Sequence, residues 1–228
     1  MSSAGQPRGR GSFGARLRVA LLGLCAVLAG GLLSVSVASD TPSAGSEPAL
    51  WALLAAQEQA SGRFVQEMHS EEGDLIERSS GRYAVLRPGY FRWEIESPDR
   101  QQIFVAGDEL WHYDVDLATA SRRDTGGGSD FTPLELLGGD TASLRERFSV
   151  EQLDEAIFRL IPNYPQAGFS SVELTWSAGE IVAMKIRDRS GQAIQLALTP
   201  ELGNTPLVPD DFFFEPPEGV DVFHNREF

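Results

Sequence analysis

An arginine that precedes a proline opens the part of this sequence richest in aromatic residues. That stretch reads RPGYFRWEIESPDRQQIFVAGDELWHYDVDL and covers residues 87–117. Phe91, Trp93 and Ile95 alternate with charged residues, a spacing that places them on one face of a β-strand. The same count places Arg87 on that face. Its several N–H donors can either meet solvent at the turn or bind carbonyl oxygens across the mouth of a cavity.

The apolar face formed by these residues has two interpretations. The first is an ordinary core, because large apolar side chains of globular proteins are mostly buried. The second is a cavity for a lipid or another apolar ligand, since such pockets are concave and lined by aliphatic and aromatic side chains. Composition and periodicity favour the core, but the small size of the predicted cover weakens that interpretation. Only a short helix at 49–60 and a glycine-bounded insert at 131–139 are available to fill a wide sheet.

Residues with metal-binding or catalytic chemistry form no recognisable site. His112, Asp114 and Asp116 alternate, but no fourth ligand lies near them in the sequence, so we predict a polar outer face. Cys25 is the one cysteine, and it lies in an apolar run where it acts as a small hydrophobic residue. The sequence contains no nucleophile elbow, P-loop, zinc-protease or dinucleotide-binding motif. A hydrolase with paired catalytic carboxylates stays open as an alternative, because acidic residues are abundant.

The elements that must position these residues are mostly β-strands. Alternation with a period of two predicts strands at 64–70, 75–87, 90–97, 101–107, 109–116, 117–124, 155–162, 169–176, 180–188 and 191–200. The short links between them indicate antiparallel neighbours. Because a sheet of this size curls or closes, we predict a mainly β fold with some α-helix. The expected architecture is an unclosed antiparallel β-barrel of about eleven strands, with helices covering its concave hydrophobic face.

The N-terminus has the pattern of an export signal. A positively charged segment without acidic residues precedes the apolar run 19–38, which ends in small residues. We predict cleavage after Ala38 or Ser39 and a periplasmic location, with an uncleaved membrane anchor as the alternative. The predicted organisation is a signal peptide (1–39), a polar linker (40–48) and one folded domain (49–228).

Charge excludes one class of partner. The chain has 19 Lys and Arg residues against 33 Asp and Glu residues, a formal net charge of −14. Nucleic-acid binding requires a basic surface that displaces counterions from phosphates. We therefore expect no nucleic-acid partner.

Several uncommon motifs, all in order, resemble those of the outer-membrane lipoprotein carrier family, LolA. They are RPGYFRW (87–93), PD (98–99), GDELWHYD (107–114), TPLELL (132–137) and FFFEPPEGVDV (212–222). The resemblance covers most of residues 49–223. It implies an unclosed β-barrel that takes acylated lipoproteins from an ATP-dependent release complex in the inner membrane and delivers them to an outer-membrane acceptor.

The resemblance also implies roles for particular residues. Arg87 falls on the family's arginine that latches the lid. The predicted acyl cavity is lined by Phe64, Phe91, Trp93, Ile95, Ile103, Val105, Leu134 and Leu137. We expect a monomeric chaperone with no catalytic residue, no metal and no cofactor. An envelope lipoprotein sensor, or a lipid-binding protein of the same fold, is the alternative function.

Overall fold

One sheet of twelve strands makes up most of the part of this protein that the structure describes. The computed structural model describes residues 46–124, 135–165, 167–201 and 206–224. The strands are β1 (Gln59–His69), β2 (Leu75–Leu86), β3 (Tyr90–Ser97), β4 (Gln101–Ala106), β5 (Glu109–Asp114), β6 (Thr119–Asp124), β7 (Phe148–Asp154), β8 (Ile157–Pro162), β9 (Phe169–Ser177), β10 (Glu180–Asp188), β11 (Ala193–Pro200) and β12 (Asp221–His224). The helices are α1 (Ser46–Ala56), α2 (Glu135–Gly138) and α3 (Thr141–Arg147), and a 3₁₀ turn covers Pro209–Phe212.

The sheet is open. Its strand order is β12-β6-β5-β4-β3-β2-β1-β11-β10-β9-β8-β7, so β12 and β7 form the two edges. Strands that follow one another in sequence are paired antiparallel from β1 to β6 and from β7 to β11, and β1 joins the two groups by pairing with β11. This architecture confirms the predicted mainly β, unclosed half-barrel.

Alternation in the sequence appears directly as alternation of burial. On β3, Phe91 and Trp93 are buried, whereas Arg92 and Glu94 form an ion pair of 3.0 Å on the opposite face. We call the face that carries Phe91 and Trp93 the inner face, and the opposite one the outer face. Because neighbouring strands are in register, each inner-face residue of β3 has a partner on the same face of β2, as Trp93 has in Tyr83.

The helices pack against the inner face and supply the other half of the core. Leu50, Trp51 and Leu54 of α1 are almost fully buried, and they belong to one hydrophobic cluster with Leu136 of α2 and Leu144 of α3. Each such side chain contributes about 1.5–3 kcal/mol when it leaves water. The cluster continues into both groups of strands, so the helices join the two halves of the sheet.

One helix boundary and three strands differ from the prediction. β1 begins at Gln59 rather than at residue 64. The first helix covers Ser46–Ala56 rather than 49–60, because Gln59 already pairs with Leu86 at the start of β1. β7 begins at Phe148 directly after α3, with no turn residues to mark it. β12 pairs with β6 in parallel, where only antiparallel strands were predicted.

Some predictions fall outside the described residues. They concern the signal peptide (1–39), the beginning of the linker and the first residues of the insert, including Leu134. None of the helices within the described ranges has the length and apolar composition needed to cross a bilayer.

Candidate functional site

Aromatic rings form the centre of the inner face. Trp93 stacks on Phe64 with 3.6 Å between ring centroids, and Phe91 stacks with Trp93 at 5.8 Å. Tyr83 lies 6.3 Å from Trp93 on the neighbouring strand. These four rings come from β1, β2 and β3, and strand register places them side by side. They form a continuous apolar surface.

The other predicted lining residues extend this surface onto β4 and to α2. Ile95, Ile103 and Val105 are partly buried and pack against the core cluster, and Leu137 of α2 belongs to the cluster itself. The structure thus brings together seven of the eight residues predicted to line the cavity; the eighth, Leu134, lies outside the described ranges. In the state that the structure shows, the inner face is covered by the protein's own helices.

Arg87 connects the sheet to the insert that carries α2 and α3. Its Nη1 donates to the carbonyl of Gly139 at 2.7 Å, and its Nη2 donates to the carbonyl of Leu136 at 2.8 Å. Both carbonyls lie at the C-terminal end of α2, where backbone oxygens lack partners within the helix and where positive charge is favourable. A planar guanidinium can bind both at once. We call these two hydrogen bonds the Arg87 latch.

The turn that follows Arg87 reinforces the same contact. Gly89 N–H donates to the carbonyl of Gly138 at 2.9 Å. A Cβ on Gly138 would come within 3.0 Å of the carbonyl oxygen of Tyr90, so only glycine fits here without displacing the end of α2. The insert therefore lies closely against the turn between β2 and β3.

The insert continues into α3 through a defined cap. Asp140 accepts a hydrogen bond from Ser143 N–H at 2.9 Å, which makes it the N-cap of α3. This hydrogen bond is the main cause that lowers the pKa of Asp140 below its ordinary value. The cap fixes where α3 begins, directly after the residues that Arg87 holds.

Burial alters the chemistry of the Arg87 side chain. It lowers the pKa of Arg87 to about 10, which leaves the guanidinium protonated at neutral pH. Its Nε is buried without a hydrogen-bond partner among the described residues. A charge that has lost part of its hydration, with one donor unsatisfied, is costly. Both costs reduce the net free energy that the two hydrogen bonds of the latch contribute.

His112 lies on the inner face, so its assignment to a polar outer face was wrong. It pairs with Ile103 across β4 and β5, and Ile103 packs against the core cluster. Its Nε2 lies 3.1 Å from Oε1 of Gln101. Within the described part of the chain, no group of three or more His, Cys, Asp or Glu side chains is arranged to hold a metal ion.

His112 lies on the inner face because the C-terminal segment covers the outer face of the same strands. Phe214 contacts Phe104, Trp111 and Tyr113 with ring centroids 4.9, 5.5 and 5.3 Å apart. These aromatic rings occupy outer positions of β4 and β5, and Leu110 and His112 lie at inner positions of β5. Sequence reasoning missed this contact because it joins residues about a hundred positions apart.

We expect acid to destabilise this protein through His112. Burial is the main cause that lowers its pKa below 6.5; Asp114 opposes this effect and Arg123 adds to it. The unfolded chain then binds the proton more readily than the folded one, so stability is lost as pH falls through the ordinary histidine pKa. Urea denaturation at about pH 7.5 and 5.5 measures this loss.

The matched variant is His112→Gln, which cannot titrate in this range. Its urea midpoint should fall less between the two pH values than that of the unaltered protein. An equal fall in both proteins would show that other groups cause the acid sensitivity.

Comparisons with known proteins agree with this geometry. A family model described as "Outer membrane lipoprotein carrier protein LolA" matches residues 56–215, which include Arg87 and the aromatic rings of the inner face. An outer-membrane lipoprotein carrier protein from Halorhodospira halophila is 34% identical over 192 residues, covering 84% of this chain and 92% of that protein. One from Hahella chejuensis is 33% identical over 199 residues, covering 84% of this chain and 95% of the relative. This chain therefore belongs to the outer-membrane lipoprotein carrier family, LolA.

Proposed function

We propose that this protein carries lipoproteins by binding their acyl chains on the inner face. The observation that supports this most is the continuous apolar surface around Phe64, Phe91 and Trp93, covered by short helices that a polar contact holds in place. The partial desolvation of Arg87 at the margin of this surface costs free energy in the closed state. Acyl chains would take the place of α2 and α3 against the sheet.

The energetics of carriage require moderate affinity. Each buried CH₂ group contributes about 0.8 kcal/mol, so acyl chains leaving a membrane need an equivalent apolar surface. The covering helices compete with the ligand for this surface. Since the closed state is stabilised by the Arg87 latch, opening it subtracts from the ligand's binding energy. The bound lipoprotein can then pass to a site that binds it more tightly.

The partners and location follow from this role. The protein would act in the periplasm after cleavage of residues 1–39, as a monomer and without catalysis. It would receive lipoproteins from an ATP-dependent release complex in the inner membrane and give them to an acceptor in the outer membrane. Cleavage would remove four arginines and no acidic residue, so the protein would be more acidic than the full chain with its net charge of −14, which favours docking on basic patches of these partners.

Mass spectrometry of the protein purified from the periplasm without detergent tests this proposal. We expect acylated lipoproteins to co-purify with the protein. Recovery of the protein from the same cells without any acylated species, under conditions that retain a known lipid-binding control, would contradict carriage.

A further inference from the structure

The indole N–H of Trp176 lies inside the hydrophobic core. Trp176 of β9 is 6% exposed, and its Nε1 is buried without a hydrogen-bond partner among the described residues. Buried donors in native proteins are almost always paired, and an unpaired one costs about 1–3 kcal/mol. This donor is therefore an unsatisfied group in the closed state.

The surroundings of Trp176 are part of the surface proposed for acyl chains. Strand register places Trp176 beside Ile181 on β10, and the next inner-face pair is Leu174 with Met184. All four side chains belong to the same hydrophobic cluster as Phe64 and Trp93. Because Trp176 belongs to the sheet, its N–H stays in place when the covering helices move.

Two other tryptophans, Trp111 and Trp51, differ from Trp176 in their position or in the partner of their indole N–H. Trp111, on the outer face, donates its Nε1–H to Oε1 of Glu109 at 2.5 Å. Trp51 also has a buried Nε1 without an acceptor among the described residues, but it lies on α1, which covers the sheet. Trp176 is thus an unsatisfied donor on the sheet itself.

We propose that Trp176 donates its indole N–H to a carbonyl oxygen of the lipid anchor, at an ester that links an acyl chain to the glyceryl group. This inference rests on the proposed function and adds a recognition element to it. An ester carbonyl carries an acceptor and no donor, so it loses its hydrogen bonds to water when it enters an apolar site. Pairing it with Trp176 satisfies both groups at once. Alkyl chains alone would leave the indole unsatisfied.

Two synthetic probes separate the role of the carbonyl from that of the chains. One is a cysteinyl peptide with a dipalmitoyl glyceryl group joined by esters. The other is the same peptide with hexadecyl chains joined by ethers, which keeps chain length and removes the carbonyls. Calorimetric titration of the purified protein measures both affinities. We expect the ester to bind about three- to tenfold more tightly, the usual range for one buried hydrogen bond.

Two variants assign this preference to one residue. Trp176→Phe should lower ester affinity to that of the ether and leave ether affinity nearly unchanged. Trp111→Phe, which removes an indole N–H from the outer face, should keep the full preference. If Trp176→Phe does not fold, ¹⁵N NMR of the unaltered protein decides instead. The Trp176 indole resonance should move to lower field with the ester and not with the ether.

The possible results separate this inference from the proposed function. Equal binding of ester and ether by the unaltered protein, or a preference that survives in Trp176→Phe, would overturn the role of Trp176 while carriage stands. An internal water molecule that satisfies the indole would give the first of these results. Failure of both probes to bind would overturn the proposed function itself.

Discussion

Leucine in place of Arg87 is expected to raise the apparent affinity for acylated peptide about 30-fold and to slow its transfer to acceptor vesicles by a similar factor. The substitution removes the hydrogen bonds to Gly139 and Leu136 that hold the insert against the sheet. Hydrogen bonds from a charged donor contribute about 1.5–3 kcal/mol each, of which water restores a part at this half-buried position. A loss of about 2 kcal/mol from the closed state leaves the inner face open to the ligand.

Arg82→Leu is the matched control for this experiment. Arg82 lies on β2, five residues before Arg87, but its side chain is exposed and pairs with Glu96 at 3.0 Å. An exposed pair of this kind contributes little, so transfer should be unchanged. The transfer rate of Arg87→Lys should lie between those of Arg87→Leu and Arg82→Leu, because an ammonium group has no planar fork to bind both carbonyls. If Arg87→Leu transfers its peptide as fast as the unaltered protein, Arg87 does not act as a latch.

The second large effect concerns the apolar surface itself. Ile103→Glu places a carboxylate on the inner face, where acyl chains would have to lie against it. Burying an unpaired carboxylate costs several kcal/mol, so we expect acyl affinity to fall by about 100-fold or more. Ile103 is only partly buried at the margin of the core cluster, which makes the change tolerable for the fold. Displacement of a fluorescent fatty acid measures the affinity.

Gln102→Glu provides the control, since it adds the same charge one position earlier. Alternation along β4 places Gln102 on the outer face, opposite Glu94. Its acyl affinity should equal that of the unaltered protein. If Ile103→Glu proves unstable, Ile103→Gln introduces a polar group without the charge and should show a smaller loss in the same direction. Unchanged binding by a folded Ile103→Glu would show that acyl chains bind elsewhere.

Much of this fold can be predicted from period-two alternation. In β3, apolar and charged residues alternate without exception from Phe91 to Glu96, and the observed faces follow that count. The same count places Arg87 beside the inner face, close enough to reach α2. The pairing of Arg87 with two particular carbonyls was not predictable, because it depends on where a short helix 49 to 52 residues away comes to its end.

Other features could not be predicted from the sequence because they depend on contacts between residues that are distant in sequence. In β5 the run Leu110, Trp111, His112, Tyr113 has apolar side chains on both faces, so periodicity cannot choose the inner one. Trp111 and Tyr113 lie on the outer face because Phe214 packs against their rings there. β12 has only four residues and pairs in parallel with β6, so no hairpin turn in the neighbouring sequence indicates this strand. The unsatisfied donor of Trp176 becomes visible only when all of its neighbours are known.

Extraction of an acylated lipoprotein from vesicles tests the central claim most directly. Vesicles that contain a fluorescent triacylated lipoprotein are mixed with the protein, sedimented, and the soluble fraction is separated by size. The account predicts that the lipoprotein becomes soluble in a complex with one copy of this chain, and that Ile103→Glu abolishes this extraction while Gln102→Glu does not. If the lipoprotein stays with the vesicles at every concentration of the protein, the inner face does not carry acyl chains.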